Sequence, residues 1–211
     1  DSDREALLEE DPNLPIGVIP NIHSHPKSVN SEEIARNPHQ LVFIGSFAHE
    51  PNVDAMVFFC HEIFPTIRKS VPDVKLKIVG DAPTDEIQRL AGDAIEVTGY
   101  VPDTTPYLKS SAISIAPLRF GAGMKGKIGE AMSHGLPVVT TTVGVDGFGL
   151  TPGENVLVAD SAEDCAGAVV QGMLVVFLIR QQCHTSSSRA LPSRSFRSDH
   201  LPSSFMKSGI F

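Results

Sequence analysis

Short apolar runs alternate along this chain with stretches in which apolar residues return at helical spacing. LVFIG (41–45), VKLKIVG (74–80), AIEVTG (94–99), AISIAP (112–117), LPVVTTT (136–142) and NVLVAD (155–160) are mostly rich in Val and Ile and bounded by Gly, Pro or Asp. Such runs read as strands. The intervening stretches 52–69, 84–92, 102–110 and 124–135 read as helices, the third only a short turn. In the first of them Ala55, Met56, Phe59, Ile63 and Phe64 keep a period of roughly 3.6, and Asn52 is placed to cap the first turn. Gly135 is placed to end its helix in a left-handed conformation. Ser161-Ala-Glu-Asp164 opens a last helix in the manner of a capping box.

Strand and helix in alternation predict a parallel sheet covered on both faces. Six strands with five crossovers predict an α/β, doubly wound, Rossmann-like fold of strand order 3-2-1-4-5-6. In that order the loops after strands one and four meet at the switch point, where ligands bind. Those loops are Gly45-Ser46-Phe47 and Pro117-Leu118-Arg119-Phe120-Gly121.

The pattern fails near residue 174. From there to the end the chain is rich in Ser and Arg and has no sustained period. Arg180, Arg189, Arg194, Arg197 and Lys207 against Asp199 give this segment +4; with −8 for the whole chain, −8 less +4 leaves −12 for the rest. Segment 174–211 therefore reads as a disordered tail, because its polar part buries too little apolar surface to offset its ordering entropy. A frame error, a fusion scar and a basic partner-binding tail are the other readings.

Composition narrows the function. An apolar fraction of 41% in 211 residues suffices for one core. The acidic balance, with a pI near 5.4, argues against nucleic acid as a partner, since that needs a basic face. Cys60, Cys165 and Cys183 are odd in number and show no metal spacing, which points to free thiols in a reducing compartment. No signal peptide is recognisable, and no apolar run reaches the ~18 residues of a membrane span. The opening DSDREALLEEDPNLPIGVIPN reads as mid-chain sequence.

The chemistry concentrates in FGAGMKGKIGEAMSHG (120–135). Gly121-Ala-Gly123-Met-Lys-Gly126 fits GxGxxG, with Asp146 at the distance of a ribose-binding acid, but the dinucleotide fingerprint belongs in the turn after the first strand. Gly121-x4-Gly126-Lys127 fits most of a P-loop, but Ile128 stands where magnesium needs a hydroxyl. A third reading takes the whole of RFGAGMKGKIGEAMSHGLPVV (119–139). Together with GSFAHEPNVDA (45–55), KIVGDAP (77–83), VTGYVPD (97–103), TTVGVDGFGL (141–150) and GENVLVADSAED (153–164), it resembles the C-terminal, donor-binding half of GT-B glycosyltransferases of family 4, the glycosyl transferases group 1. VIPN (18–21) looks like that family's linker. The resemblance divides the chain into 1–38, the end of an N-terminal domain and linker; 39–173, a nucleotide-sugar-binding domain; and the tail.

The resemblance implies transfer of a sugar, with retention, from a nucleotide-diphosphate sugar to a hydroxyl acceptor: a glycan, a lipid or a small molecule. It implies no cofactor and no metal, a missing N-terminal acceptor domain as partner, and a cytoplasmic place, including the inner membrane face. Gly121 and Gly123 let backbone N–H groups approach the diphosphate, and a helix starting near Met124 turns its positive end to it. Arg119 and Lys125 are the candidates to neutralise the leaving group. Glu130 is the family's second glutamate of an E-x7-E pair and holds the ribose hydroxyls, accepting two hydrogen bonds. The first glutamate of that pair is replaced by Ala122, so the donor sugar stays unassigned. Gly45 and Ser46 end strand one at the crevice without the basic residue many members carry. Tyr100 and Val101 stand where the family reads the base edge with backbone groups. Lys127 reads as a surface residue, and His134 as a helix-end residue favourable to the dipole. His23 and His25 have no convergent partner for a metal. The rival function is a non-catalytic nucleotide- or NDP-sugar-binding module of the same fold, which Ala122 keeps open.

Overall fold

The computed structural model describes residues 2–17 and 36–186. VIPN (18–21), His23, His25 and the tail beyond 186 lie outside the described residues. In chain order the elements are α1 (Ser2–Glu10), β1 (Asn37–Ile44), α2 (Glu50–Phe58), a π-helical segment (Phe59–Ile63), α3 (Phe64–Ser70), β2 (Lys75–Val79), α4 (Asp85–Arg89), β3 (Ile95–Gly99), α5 (Thr105–Ser110), β4 (Ser111–Ala116), α6 (Gly126–Ser133), β5 (Val138–Thr140), α7 (Thr142–Val145), β6 (Leu157–Val158) and α8 (Ala162–Ser186).

All six strands pair in parallel, in the order β3-β2-β1-β4-β5-β6. This is the doubly wound order that the strand–helix alternation predicts. Alternate side chains of β1 feed two separate cores. Leu41 and Phe43 join Phe59, Ile63, Ile67, Leu76 and Ile113 on the side of α2, α3 and α8. Val42 joins Leu108, Ile128, Ala131 and Val138 on the side of α5 and α6. Every residue of β4 is buried, as a strand covered on both faces must be.

Three local readings change. Asn52 does not cap its helix: α2 opens at Glu50, after His49, with Pro51 in its first turn. Asn52 is instead buried inside that turn. The predicted single helix over 52–69 carries a π turn. Pro65 has no N–H to give to the carbonyl four residues back, and its ring would strike that carbonyl. The chain widens before it, with the Phe64 N–H bonded to the Phe59 carbonyl. Finally, α8 runs to Ser186, so the boundary expected at 174 falls inside a helix. Val169 and Met173 lie in the core and partly buried Val176 packs on it, so the apolar residues 174–179 extend a helix already nucleated. The composition of the whole segment had outweighed that apolar start. Other expectations hold: Gly135 has φ +60°. Ser161 Oγ donates to Asp164 Oδ2 (2.6 Å) and accepts from the Asp164 N–H (3.0 Å), opening α8.

Two contacts fix the ends of the central strands. The Arg36 guanidinium donates to the carbonyls of Leu108 (2.7 Å), Ser111 (3.0 Å), His134 (2.8 Å) and Gly135 (3.1 Å), clasping the C-terminal ends of α5 and α6. At the other end of β1, the Gly45 N–H donates to the Val79 carbonyl at 3.0 Å. Gly80 follows so closely that a Cβ on it would run into the Gly45 carbonyl oxygen. We therefore expect Gly80→Ala to cost about 1–3 kcal/mol, the range for overpacking that forces a backbone shift. A denaturant titration followed by circular dichroism would show it as a lowered midpoint; an unchanged midpoint would contradict the close approach.

Candidate functional site

A cavity of about 650 Å³ opens at the C-terminal end of β1, lined by Ile44, Gly45, Ser46, Asn52, Thr105, Gly126, Lys127, Glu130, Ser133 and His134. It lies at the switch point, between the loop that leaves β1 and the helix that follows the loop after β4. Helix α6 is its main wall. Lys127, Glu130 and Ser133–His134 recur at helical spacing and so share one face. The end of β1 gives Gly45 and Ser46, the first turn of α2 gives Asn52, and the start of α5 gives Thr105.

Lys127 is the cation of this cavity, not the surface residue that the sequence suggests. Its Nζ donates to Asn52 Oδ1 and stands 4.3 Å from the centroid of the Phe43 ring. Gly45 leaves it room, since a Cβ there would come within 2.9 Å of Nζ. Desolvation, and then the neighbouring charge of Lys125, push the Lys127 ammonium down to about 7. A lysine in the first turn of a short helix looks solvent-facing in a sequence; only the packing of α6 against β1 turns it inward.

Glu130 lies one turn further along the same face, part-buried, and accepts a hydrogen bond from Thr104 Oγ1. His134, only 8% exposed, ends α6 with Nδ1 3.0 Å from the Glu130 carbonyl oxygen. The helix begins at Gly126, two residues later than expected.

The other candidates stand outside the walls. Arg119 is half-exposed and pairs with Asp54 through both Nε (2.8 Å) and Nη2. Its guanidinium lies 4.6 Å over the Phe58 ring, beside a separate hollow of about 500 Å³ with Val57, His61, Glu62 and Ala162. Lys125 is buried but turned back: its Nζ donates to the Gly121 (3.0 Å) and Gly123 (2.6 Å) carbonyls. It thus closes the loop whose Gly121 and Gly123 take φ of +124° and +73°. Ala122 and Met124 are exposed on that loop. Tyr100 is 75% exposed, and Val101 packs half-buried on the second core. Of the candidates read from the sequence, the structure joins Gly45, Ser46 and Glu130 in one cavity. Ile44, Asn52, Thr105, Gly126, Lys127, Ser133 and His134 are the wall residues that the sequence reading did not assign to the site. Among the described residues no three His, Cys, Asp or Glu side chains form a metal-binding group, and no helix is long and apolar enough to cross a membrane.

Residues 38–173 match the family described as glycosyl transferases group 1. The chain belongs to that family. Within it, the chain is 28% identical over 129 residues to an uncharacterized 44.6 kDa protein in the cps region of Klebsiella pneumoniae, a match covering 57% of this chain and 33% of that protein. Among solved structures it resembles a variant of S. aureus TarM in complex with fondaparinux, alpha-GlcNAc-glycerol and UDP (TM-score 0.63, 17% identity, 90% of this chain and 40% of that one). It also resembles the pneumococcal O-GlcNAc transferase GtfA in complex with UDP and GlcNAc (TM-score 0.62, 17% identity, 86% and 38%). The group 1 chain described here thus has the Rossmann-like sheet of GT-B glycosyltransferases. It spans about a third of the curated relative and about two-fifths of these solved chains.

The buried amine gives a pH signature. The Lys127 amine titrates near 7 in the fold and near 10.5 when free. Between those values the unfolded chain holds a proton that the folded chain has lost, so stability rises with pH across this window. Below about 7 the full cost of burying the charge is present. Lys127→Met should remove this slope and stabilise the chain most at pH 6. Denaturant midpoints of both proteins from pH 6 to 10 check it; parallel curves would contradict the buried cation.

Proposed function

We propose that this chain is the donor half of a retaining glycosyltransferase, taking a nucleotide-diphosphate sugar and passing its sugar to a hydroxyl acceptor. One observation carries the reading: Lys127 and Glu130 stand one turn apart on a single face of α6, about 4.5 Å along its axis, in a cavity closed by Gly45 and Ser46. A cation and a carboxylate so spaced suit a diphosphate and the vicinal diol of the ribose next to it. The first turn of α6 adds the positive end of the helix dipole. The complexes of TarM and GtfA with UDP support the same assignment.

In this reading charge gathers on the diphosphate as the glycosidic bond breaks, and the cavity stabilises it electrostatically, without a metal. Lys127 already stands in the wall. Arg119 and Lys125 join it only by leaving Asp54 and the loop carbonyls. The sugar extends past the 121–124 loop, where Ala122 replaces a carboxylate, and the base lies toward Tyr100, Val101 and Thr105. The acceptor is held by the N-terminal domain of the full protein, working in the cytoplasm or at the inner membrane face. Ala122 favours one other reading, a module that binds the same donor without transfer.

Calorimetry with UDP, GDP and ADP, each with and without an attached sugar, tests the assignment. One diphosphate should bind measurably, and more tightly with its sugar. Affinity without any gain from the sugar would favour the binding module, and preference for NAD or magnesium-ATP would overturn the site. Glu130→Ala should lose roughly 1.5–3 kcal/mol of diphosphate affinity per hydrogen bond removed; equal affinity would remove Glu130 from the ribose.

The chain alone should transfer no sugar to a panel of hydroxyl acceptors, because most of the acceleration comes from aligning two substrates in a closed cleft. Turnover near 1 s⁻¹, on the order of an ordinary enzyme, would place the acceptor site within these residues.

A further inference from the structure

Asn52 is an unusual residue to find where it stands. It is the third residue of α2, 8% exposed, in a helical position that its side chain disfavours. Both ends of its amide are engaged. Nδ2 donates to the Ser46 carbonyl at 2.6 Å, and Oδ1 accepts from Lys127 Nζ. The two partners fix the orientation of the amide, since a carbonyl needs a donor and an ammonium needs an acceptor. Aspartate could not give the first bond, and a hydrocarbon could give neither. Three elements thus meet in one side chain: the loop after β1, the first turn of α2 and the first turn of α6.

The anchor is neutral. The ion pairs among the described residues are His39–Asp73, Lys77–Glu96 and Arg119–Asp54; none neutralises Lys127. Phe43 faces Nζ from β1 and Gly45 from its end. The charged and titratable groups near it are Lys125 ahead of α6, and Glu130 and His134 further along the same cavity wall. We propose that Asn52 is a positioning residue for the diphosphate: it holds Lys127 Nζ at the cavity wall through a neutral acceptor, so the ammonium is fixed in place yet left without a counter-charge until an anion enters. This rests on the reading of the cavity as a nucleoside-diphosphate site. Burial and the charge of Lys125 lower the proton affinity of Lys127, and an incoming anion would restore it.

The test uses the full chain with Asn52→Asp and Asn52→Ala. The Lys127 titration is read by NMR of the lysine side chains without ligand, its signal assigned by loss in Lys127→Met. Binding of UDP, GDP and ADP is followed by calorimetry at pH 8.5 in buffers of different ionisation enthalpy, which counts protons. The parent should take up close to one proton per diphosphate bound. Asn52→Asp supplies the counter-charge, so Lys127 should titrate in the ordinary lysine range, proton uptake should vanish, and affinity should fall roughly 10- to 100-fold. Asn52→Ala removes the anchor but adds no charge, so affinity should fall while proton uptake persists. An unshifted Lys127 titration in Asn52→Asp, or parental affinity in Asn52→Ala, overturns the proposal. If the parent binds none of the three diphosphates while Asn52→Asp still shifts the titration, the donor-site reading fails and the anchoring of Lys127 by Asn52 stands.

Discussion

The crevice exists because β1 sits between β2 and β4 in a parallel sheet. Each strand must be followed by a crossover, and each crossover must pack to one face of the sheet. After β1 the chain turns away to α2, and after β4 it turns the other way to α6. Two backbones diverging from adjacent strand ends cannot fill the space between them. The cavity is this gap, and its walls are set before any functional side chain is chosen. Gly45 and Gly80 then let the strand ends come close enough for α2 and α6 to share one side chain across the gap.

Charge is distributed in the site by compensation, not by count. Three cations follow β4 within eleven residues: Arg119, Lys125 and Lys127. Asp54 neutralises the first, loop carbonyls occupy the second, and the third rests on a neutral amide and an aromatic face. Among them Lys127 has the most to gain from an arriving anion. An acidic chain thereby keeps a cation available at one point without a basic surface around it.

The architecture was legible because it depends on period. The apolar runs marked six strands, their alternation with helices fixed the parallel order, and that order pointed to the loops after β1 and β4. Gly45, Ser46 and Glu130 were legible by the same route, combined with the resemblance of 119–139 to a known family. Asn52 and Lys127 were not. Asn after Pro reads as a cap, although Pro51 itself is the signal that the helix opens ahead of Asn52. Lys127 lies between Gly126 and Ile128, and its direction is set by how α6 rolls on the sheet, which is a tertiary fact. The pairing of Arg119 was hidden for another reason: its partner Asp54 is sixty-five positions away, so the pair leaves no local trace. The π turn could have been suspected from Pro65 inside a helical pattern.

The clasp made by Arg36 bears on what counts as one unit of this protein. Family similarity begins at residue 38, and the first strand at Asn37. A boundary drawn at either place would discard the guanidinium that receives the closing carbonyls of α5 and α6. The segment that folds is thus longer than the segment that is recognisably inherited. Arg36, just ahead of both boundaries, supplies the pin that holds the far end of the site's main wall.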